Sequence, residues 1–542
     1  MLMELKAGFL KIPNWLKALV LISLILGIFL RFYNLDGKLY SNDEAFSTTY
    51  IYGQNIANII DVKIVSASEL QNYQRYNTDE GIFDSFKRLL ERPYVFPPLY
   101  AFMVQIWSRF WSLFLTEPAI ITRSCSAFIS LFSLPFMYWL CWELFQSASI
   151  AWLGTAIFAI SPLQLQYSQI VRTYSLITAF TLLSSATLLH SLRVPKKINW
   201  LLYTFTVAFG LYSNILFAFV IISHALYIII DSRGRITKNV KNYILSSLLG
   251  ISLFMPWFYL FLTKPGLFGY SVEQPAEQNI PITGLIKDWM RGVLRIFIDL
   301  NDGWIKDTDS FLLLQRTSWI FLLVFLLTSV VFLIFNAGKN KNWMILALLI
   351  GGGGILMIKD AISGTGFSVR LRYMLPYAIG WQLAATALIA YLFYSRLSWQ
   401  RQLSKIIISS LLLLGLLSSW IIASSPSWWA FGAPDYPAIA QKLNKLEKPV
   451  VLYDDFADAL TMSYLVNHNV YSHLTKRAEF HLENNPNQPN DIYRGYTDII
   501  IFRPSSTLVE KLQSTENFVL EPLFKSQENY PSKPNAWKVI KR

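Results

Sequence analysis

Apolar residues run through the chain in blocks of about 15 to 22 positions, separated by short polar stretches, which is the length a helix needs to cross a ~30 Å hydrocarbon layer. The first block follows Lys6, Lys11 and Lys17 and ends at Arg31. The others lie at 124–142, 147–166, 174–192, 198–212, 214–231, 243–263, 317–336, 342–358, 373–394 and 406–424. They predict about 11 transmembrane helices, within a range of 10–13. One further stretch, 97–116, is interrupted by Arg109 and crowded with aromatic side chains. Parity sorts it. If it crosses, the basic loops at 193–197, 233–241 and 395–405 fall outside; if it lies flat at the interface, all three fall inside, as the positive-inside rule requires. The flat arrangement is the expected one, with an uncleaved first helix and a cytoplasmic N-terminus.

On that topology the outer side receives the loop 34–123, where IFDSFKRLLERP reads as a short surface helix stopped by Pro93. It also receives the 167–173 connection, the loops 264–316 and 359–372, and the C-terminal part. From about residue 425 the pattern changes: QKLNKLEKPVVLYDD reads as a helix followed by a buried strand, ADALTMSYLV as a helix and YTDIIIFRP as another strand. The expected fold class is a polytopic α-helical membrane protein over 1–424, including the outer loop 34–123 and its interfacial helices, with a small α/β domain over 425–542 on the extracytoplasmic side.

Composition agrees: 54% hydrophobic against 15% charged residues is far too apolar for a soluble chain of 542 residues. The formal charge of +13 could suggest nucleic acid, but 425–542 carries 13 Lys+Arg and 13 Asp+Glu. The excess therefore belongs to the membrane part, where it sets topology and meets anionic head groups, and no nucleic-acid partner is expected. The cores of the spans hold no Asp, Glu, Lys or Arg. Ion-coupled transporters usually keep such groups at mid-membrane, so transport is disfavoured. Cys125 and Cys141 stand sixteen positions apart on one expected helix, roughly 24 Å, and cannot bridge.

The stretch with the most chemistry is 31–50, RFYNLDGKLYSNDEAFSTTY, in which Asp43 and Glu44 stand just outside the first span. A carboxylate where bilayer meets water can act as general base on a substrate whose other half lies in lipid; the same residues also fit an ordinary solvated loop. In SPLQLQYSQIVRTYSL, 161–176, a span ends with Tyr167, Gln169, Arg172 and Tyr174. A guanidinium at that depth can pair with a phosphate at the lipid surface, or can be a snorkelling anchor. Arg123 opens the preceding helix on the same face, and Arg370 and Arg372 in SVRLRYMLP open a later one. Such a cluster suits a lipid-linked phosphate as leaving group. Asp454 and Asp455 end a strand, where α/β folds often bind ligands, and fit a helix N-cap equally well. Gly351 to Gly354 lie in an apolar span and read as close helix packing rather than a phosphate cradle. His190, His224, His468, His473 and His481 form no metal-binding motif, and neither a P-loop nor a dinucleotide fingerprint is present, which argues against a soluble nucleotide donor.

A first helix ending in Arg31, the Asp43–Glu44 pair, PPLY at 97–100, Arg123, then SP…YSQ…R.Y and a late RY..P occur in an order that resembles the GT-C membrane glycosyltransferases of the family 39 type, the branch of protein O-mannosyltransferases and lipid A aminoarabinose transferases. The resemblance covers approximately 15–395. It implies a polyprenyl-phosphate sugar as donor, a hydroxyl on a lipid, glycan or protein as acceptor, and hexosyl or pentosyl transfer, usually with inversion, on the outer face of a bacterial inner or plasma membrane. It also implies Asp43 as base with Glu44 beside it, contacts from Arg123, Arg172, Tyr167 and Tyr174 to the lipid phosphate or sugar, and closure by Arg372 and Tyr373. Cofactor need is open, a divalent cation included, and so is the oligomeric state. Two positions depart from the pattern: Phe96 stands where a His is usual before PPL, and Ile170 where a Glu is common. The rivals are a polysaccharide polymerase or ligase using a pyrophosphate-linked donor, and a lipid or glycan transporter.

Overall fold

A computed structural model describes residues 13–52, 64–76, 81–91, 97–263, 280–301, 309–336, 342–429, 436–453, 455–474, 493, 495–504, 518–524 and 536–541. These divide into two compact units, one of Met1–Leu35, Phe86–Trp107 and Ile120–Ser425, the other of Asp36–Ser85, Ser108–Ala119 and Pro426–Arg542. Phe96, Asp454 and His481 lie outside the described residues.

The first unit is helical. Among the described residues eight helices are long and apolar enough to cross a membrane: Asn14–Phe32, Pro118–Phe145, Tyr174–Arg193, Lys238–Thr263, Leu312–Phe335, Asn342–Ser363, Leu375–Phe393 and Ser398–Ser424. The expected span 147–166 is a bent pair, Ala148–Ala159 and Pro162–Ser168, inclined at 60°. Pro162 has no N–H to continue the ladder, and the carbonyl of Ile160 beside the break instead accepts the Ser419 hydroxyl at 2.8 Å. The two remaining blocks are the shorter helices Lys197–Ser213 and Ile215–Asp231, so every apolar block of the sequence is a helix or a helix pair. The 97–116 stretch contains a helix of 13 residues, Leu99–Trp111, whose length of roughly 20 Å falls short of the hydrocarbon layer.

The glycine run is a π-helical segment, Ile350–Gly354, inside a span. A Cβ added at Gly351 would stand 2.5 Å from the Ser223 hydroxyl, and one at Gly353 2.6 Å from Met374 Cε. Close packing, not phosphate cradling, is what these glycines provide.

The second unit holds a six-stranded sheet: β1 (Ile64–Ser66), β2 (Pro449–Tyr453), β3 (Tyr471–Leu474), β4 (Asp498–Phe502), β5 (Phe518–Phe524) and β6 (Ala536–Lys541), in the order β1-β3-β2-β4-β6-β5. β2 runs parallel to β3 and β4 and is buried along its whole length, which is why PVVLY is continuously apolar. The helix Phe456–Met462 falls within the stretch where the pattern puts one, whereas the helix expected over 441–448 is instead Tyr436–Leu443, and 444–448 form the turn that leads into β2. What the pattern did not indicate is β1. It comes from the loop that follows the first span and pairs antiparallel with β3, Ile64 opposite His473. The loop segment and the C-terminal segment thus build one sheet.

Candidate active site

In the second unit, Ser41 caps the helix Asn42–Ile51 with a capping box. The Glu44 carboxylate accepts from the Ser41 backbone N–H at 3.0 Å and from its hydroxyl at 3.1 Å, while the Glu44 N–H donates to Ser41 Oγ at 3.4 Å. Glu44 is completely buried and serves this cap. Asp43, one position earlier, is half-buried and stands in the first helical turn, at the positive end of the helix dipole. The adjacent carboxylates therefore have different environments.

Asn42 fixes the start of this helix to the C-terminal segment. Its Nδ2 donates to Tyr436 Oη at 3.2 Å and to Asp458 Oδ1, which also accepts the Tyr436 hydroxyl. Arg503 Nη1 donates to Tyr436 Oη at 2.8 Å and approaches Asp458 Oδ1 at 3.4 Å. Burial pushes the Asp458 carboxyl above its ordinary value, and the Arg503 charge opposes that only in part. Burial, together with the Asp458 charge, pushes the Tyr436 hydroxyl well up, so it remains a donor. Ring contacts Phe46–Phe456 at 5.4 Å and Tyr40–Tyr464 at 4.9 Å flank the network. Asp455 is an N-cap, its Oδ1 accepting from the Ala457 N–H at 2.9 Å.

In the first unit, Gln169 and Arg123 are wholly buried and hold the chain as it leaves the first helix. Gln169 Nε2 donates to the carbonyls of Leu30 at 2.8 Å, Tyr33 at 3.0 Å and Arg31 at 3.4 Å. Arg123 Nη1 donates to the Leu35 carbonyl at 2.6 Å. The rings of Tyr167 and Tyr174 lie 4.7 Å apart and, with Arg31, Ser130, Ser133, Phe158, Gln164, Ser175 and Thr178, line a small pocket of mixed polarity. Arg172 is nearly buried in the turn between them, and Ile170 is buried with it. Arg370, Arg372 and Tyr373 are half-buried around the short 3₁₀ turn Leu371–Tyr373, the Arg372 guanidinium 5.2 Å from the Tyr373 ring. The loop before them is tied by Asp360, which accepts from the Ser368 hydroxyl at 2.6 Å and the Thr365 hydroxyl at 2.5 Å.

Arg31 was read in the sequence only as the end of a span, yet it stands at the pocket. The available signal was a guanidinium in the last turn of an apolar helix with no carboxylate three or four positions away. Among the described residues no group of three or more His, Cys, Asp or Glu is arranged to hold a metal ion. His224 bonds Ser185 and Tyr203, His190 bonds Glu143, and His473 bonds Tyr493.

No family model matches the sequence, and no curated protein matches it. Among solved structures the chain is similar to ArnT from Cupriavidus metallidurans in the apo state, at 11% identity and a TM-score of 0.53, over 97% of this chain and 98% of that one. The same enzyme bound to undecaprenyl phosphate gives 10% identity and a TM-score of 0.54 over the same shares. The Archaeoglobus fulgidus oligosaccharyltransferase in the apo form follows at 11% identity and a TM-score of 0.48, over 90% of this chain and 69% of that one. From the first span to the last strand, this multi-pass membrane protein has the fold of the GT-C glycosyltransferases.

Proposed function

We propose that the chain transfers a sugar from a polyprenyl-phosphate donor to a hydroxyl acceptor on the extracytoplasmic face of a bacterial membrane. The observation that carries this reading is the division of labour at 43–44 within an end-to-end ArnT-like fold: Glu44 is buried and closes the helix cap, while Asp43 stands half-buried in the first turn beside it. In the reaction Asp43 accepts the proton of the acceptor hydroxyl as its oxygen attacks the anomeric carbon. The bond from that carbon to the phosphate oxygen breaks, and the polyprenyl phosphate leaves with the electron pair, giving inversion. Arg172, Arg370 and Arg372 are the guanidinium groups assigned to the departing phosphate, with Tyr373 beside the sugar. Gln169 and Arg123 act by holding residues 30–35, the segment that leads in sequence to Asp43.

The test is sugar release by the purified protein from a panel of polyprenyl monophosphate and pyrophosphate donors. Turnover of a monophosphate donor, reduced by of order 10²-fold to 10⁴-fold in a folded Asp43→Asn variant, is the expected result. Turnover of pyrophosphate donors alone, or an undiminished rate in Asp43→Asn, would overturn it.

A further inference from the structure

We propose that the pocket at Arg31 is a binding site for a monatomic anion, chloride under ordinary conditions. Arg31 is completely buried. Its Nη1 donates to the carbonyls of Gly27 at 2.5 Å and Ala159 at 2.7 Å, while Nε and Nη2 have no partner among the described residues. A guanidinium does not give up its proton, so the side chain brings a full positive charge into a low-dielectric interior. The two carbonyls belong to the C-terminal turns of two helices and offset part of that charge on one side. The pocket side is different. It is lined by Tyr174 and Ser175, the first residues of the helix Tyr174–Arg193, whose positive end reinforces the guanidinium, and no carboxylate lines it.

The other lining groups are the Phe158 ring, the hydroxyl-bearing Ser130, Ser133, Tyr167 and Thr178, and the Gln164 amide, with the Ser133 hydroxyl buried and without a partner. The Ser130 hydroxyl is taken up by the Ala127 carbonyl at 2.6 Å, so the buried donors left over are Arg31 Nε and Nη2 and the Ser133 hydroxyl, a donor set for an anion. Size narrows the choice, because the pocket has room for roughly one water-sized occupant, which excludes a phosphate group. A single water would fit but would leave the charge uncompensated, whereas a halide fills the same space and neutralises it.

The experiment uses the full-length purified protein in halide-free gluconate buffer, titrated with chloride, bromide or sulfate at constant ionic strength, and reads thermal unfolding. A saturable rise in midpoint with chloride and bromide, absent with sulfate, is expected. Ser133→Val fills the pocket and removes a donor without touching the charge, and should weaken the halide midpoint about tenfold, as befits the loss of one hydrogen bond to an ion. Arg31→Met, if it folds, should show no halide response. Equal stabilisation by sulfate, or an unchanged halide midpoint in Ser133→Val, would overturn the proposal. The readout needs no sugar donor, so it stands or falls apart from the transfer reaction.

Discussion

Replacing Asp458 by Ala tests whether the C-terminal segment holds the helix that carries Asp43. Asp458 is 5% exposed and is the common acceptor for Asn42, Tyr436 and Arg503. Its loss leaves the Tyr436 O–H buried without an acceptor and Asn42 with a single partner. An orphaned buried donor costs about 1–3 kcal/mol, and a weakened second one adds a fraction of that. The Arg503 side chain is 46% exposed, so its ion pair adds no more than about 1 kcal/mol. The expected total is about 2–4 kcal/mol. If that energy fastens the start of the helix Asn42–Ile51, amide hydrogen exchange across the helix should speed up by a factor of about 30 or more, at about 1.4 kcal/mol per tenfold. Exchange measured by mass spectrometry on peptides covering 42–52 reads this directly. A cycle with Asn42→Ala should show coupling of at least ~1 kcal/mol, because both changes remove one contact. Unchanged protection of that peptide in Asp458→Ala, or strictly additive effects, would refute the reasoning.

Other outcomes follow from the same geometry. Glu44→Ala should cost about 0.5–2 kcal/mol of stability through loss of the capping box, seen as a lowered thermal midpoint, whereas Asp43→Asn should leave that midpoint nearly unchanged. Gly27→Ala places a Cβ 2.7 Å from the Ala159 carbonyl oxygen, where overpacking costs about 1–3 kcal/mol, and the midpoint should fall accordingly. Two carboxyls give opposite pH dependences. Burial holds the Asp458 value up, so its contribution is full below the ordinary Asp value of about 3.9 and is lost as pH rises through its raised value. At Asp498 partial burial pulls upward, but Lys538, 2.6 Å away, and the Thr497 hydrogen bond together more than offset it; that contribution is present above about 3.9 and is lost as pH falls through the lowered value. Unfolding followed from pH 3 to 7 in Asp458→Asn and Asp498→Asn should therefore show slope changes of opposite sign.

The helical unit was largely legible because a bilayer demands long apolar runs, and every such run became a helix or helix pair. The bend at Ser161–Pro162 could have been read from the proline alone. The cap at Glu44 was also written locally, as Ser41 followed three positions later by an acid. Other features had no local signature. Asn42 and Asp458 are 416 positions apart, and β1 is three residues long, too short for any periodicity to announce it. Gln169 looked like a ligand group because it is polar and lies near arginines. Its three backbone carbonyl partners, 136 to 139 positions away, give it a structural role that no local pattern announces.

The pairing of β1 with β3 also sets a timetable. Ile64 leaves the ribosome on the order of 400 residues before His473, its partner, which at ordinary synthesis rates is roughly 20–80 s, and every span after the first is made in the interval. The segment carrying Asp43 therefore cannot find its sheet or its Asn42–Asp458 anchor until the spans have been synthesised and about a further tenth of the chain has followed. A polypeptide terminated before β3 would lack this anchor, so the helix Asn42–Ile51 would stay unfastened until synthesis has passed the last span.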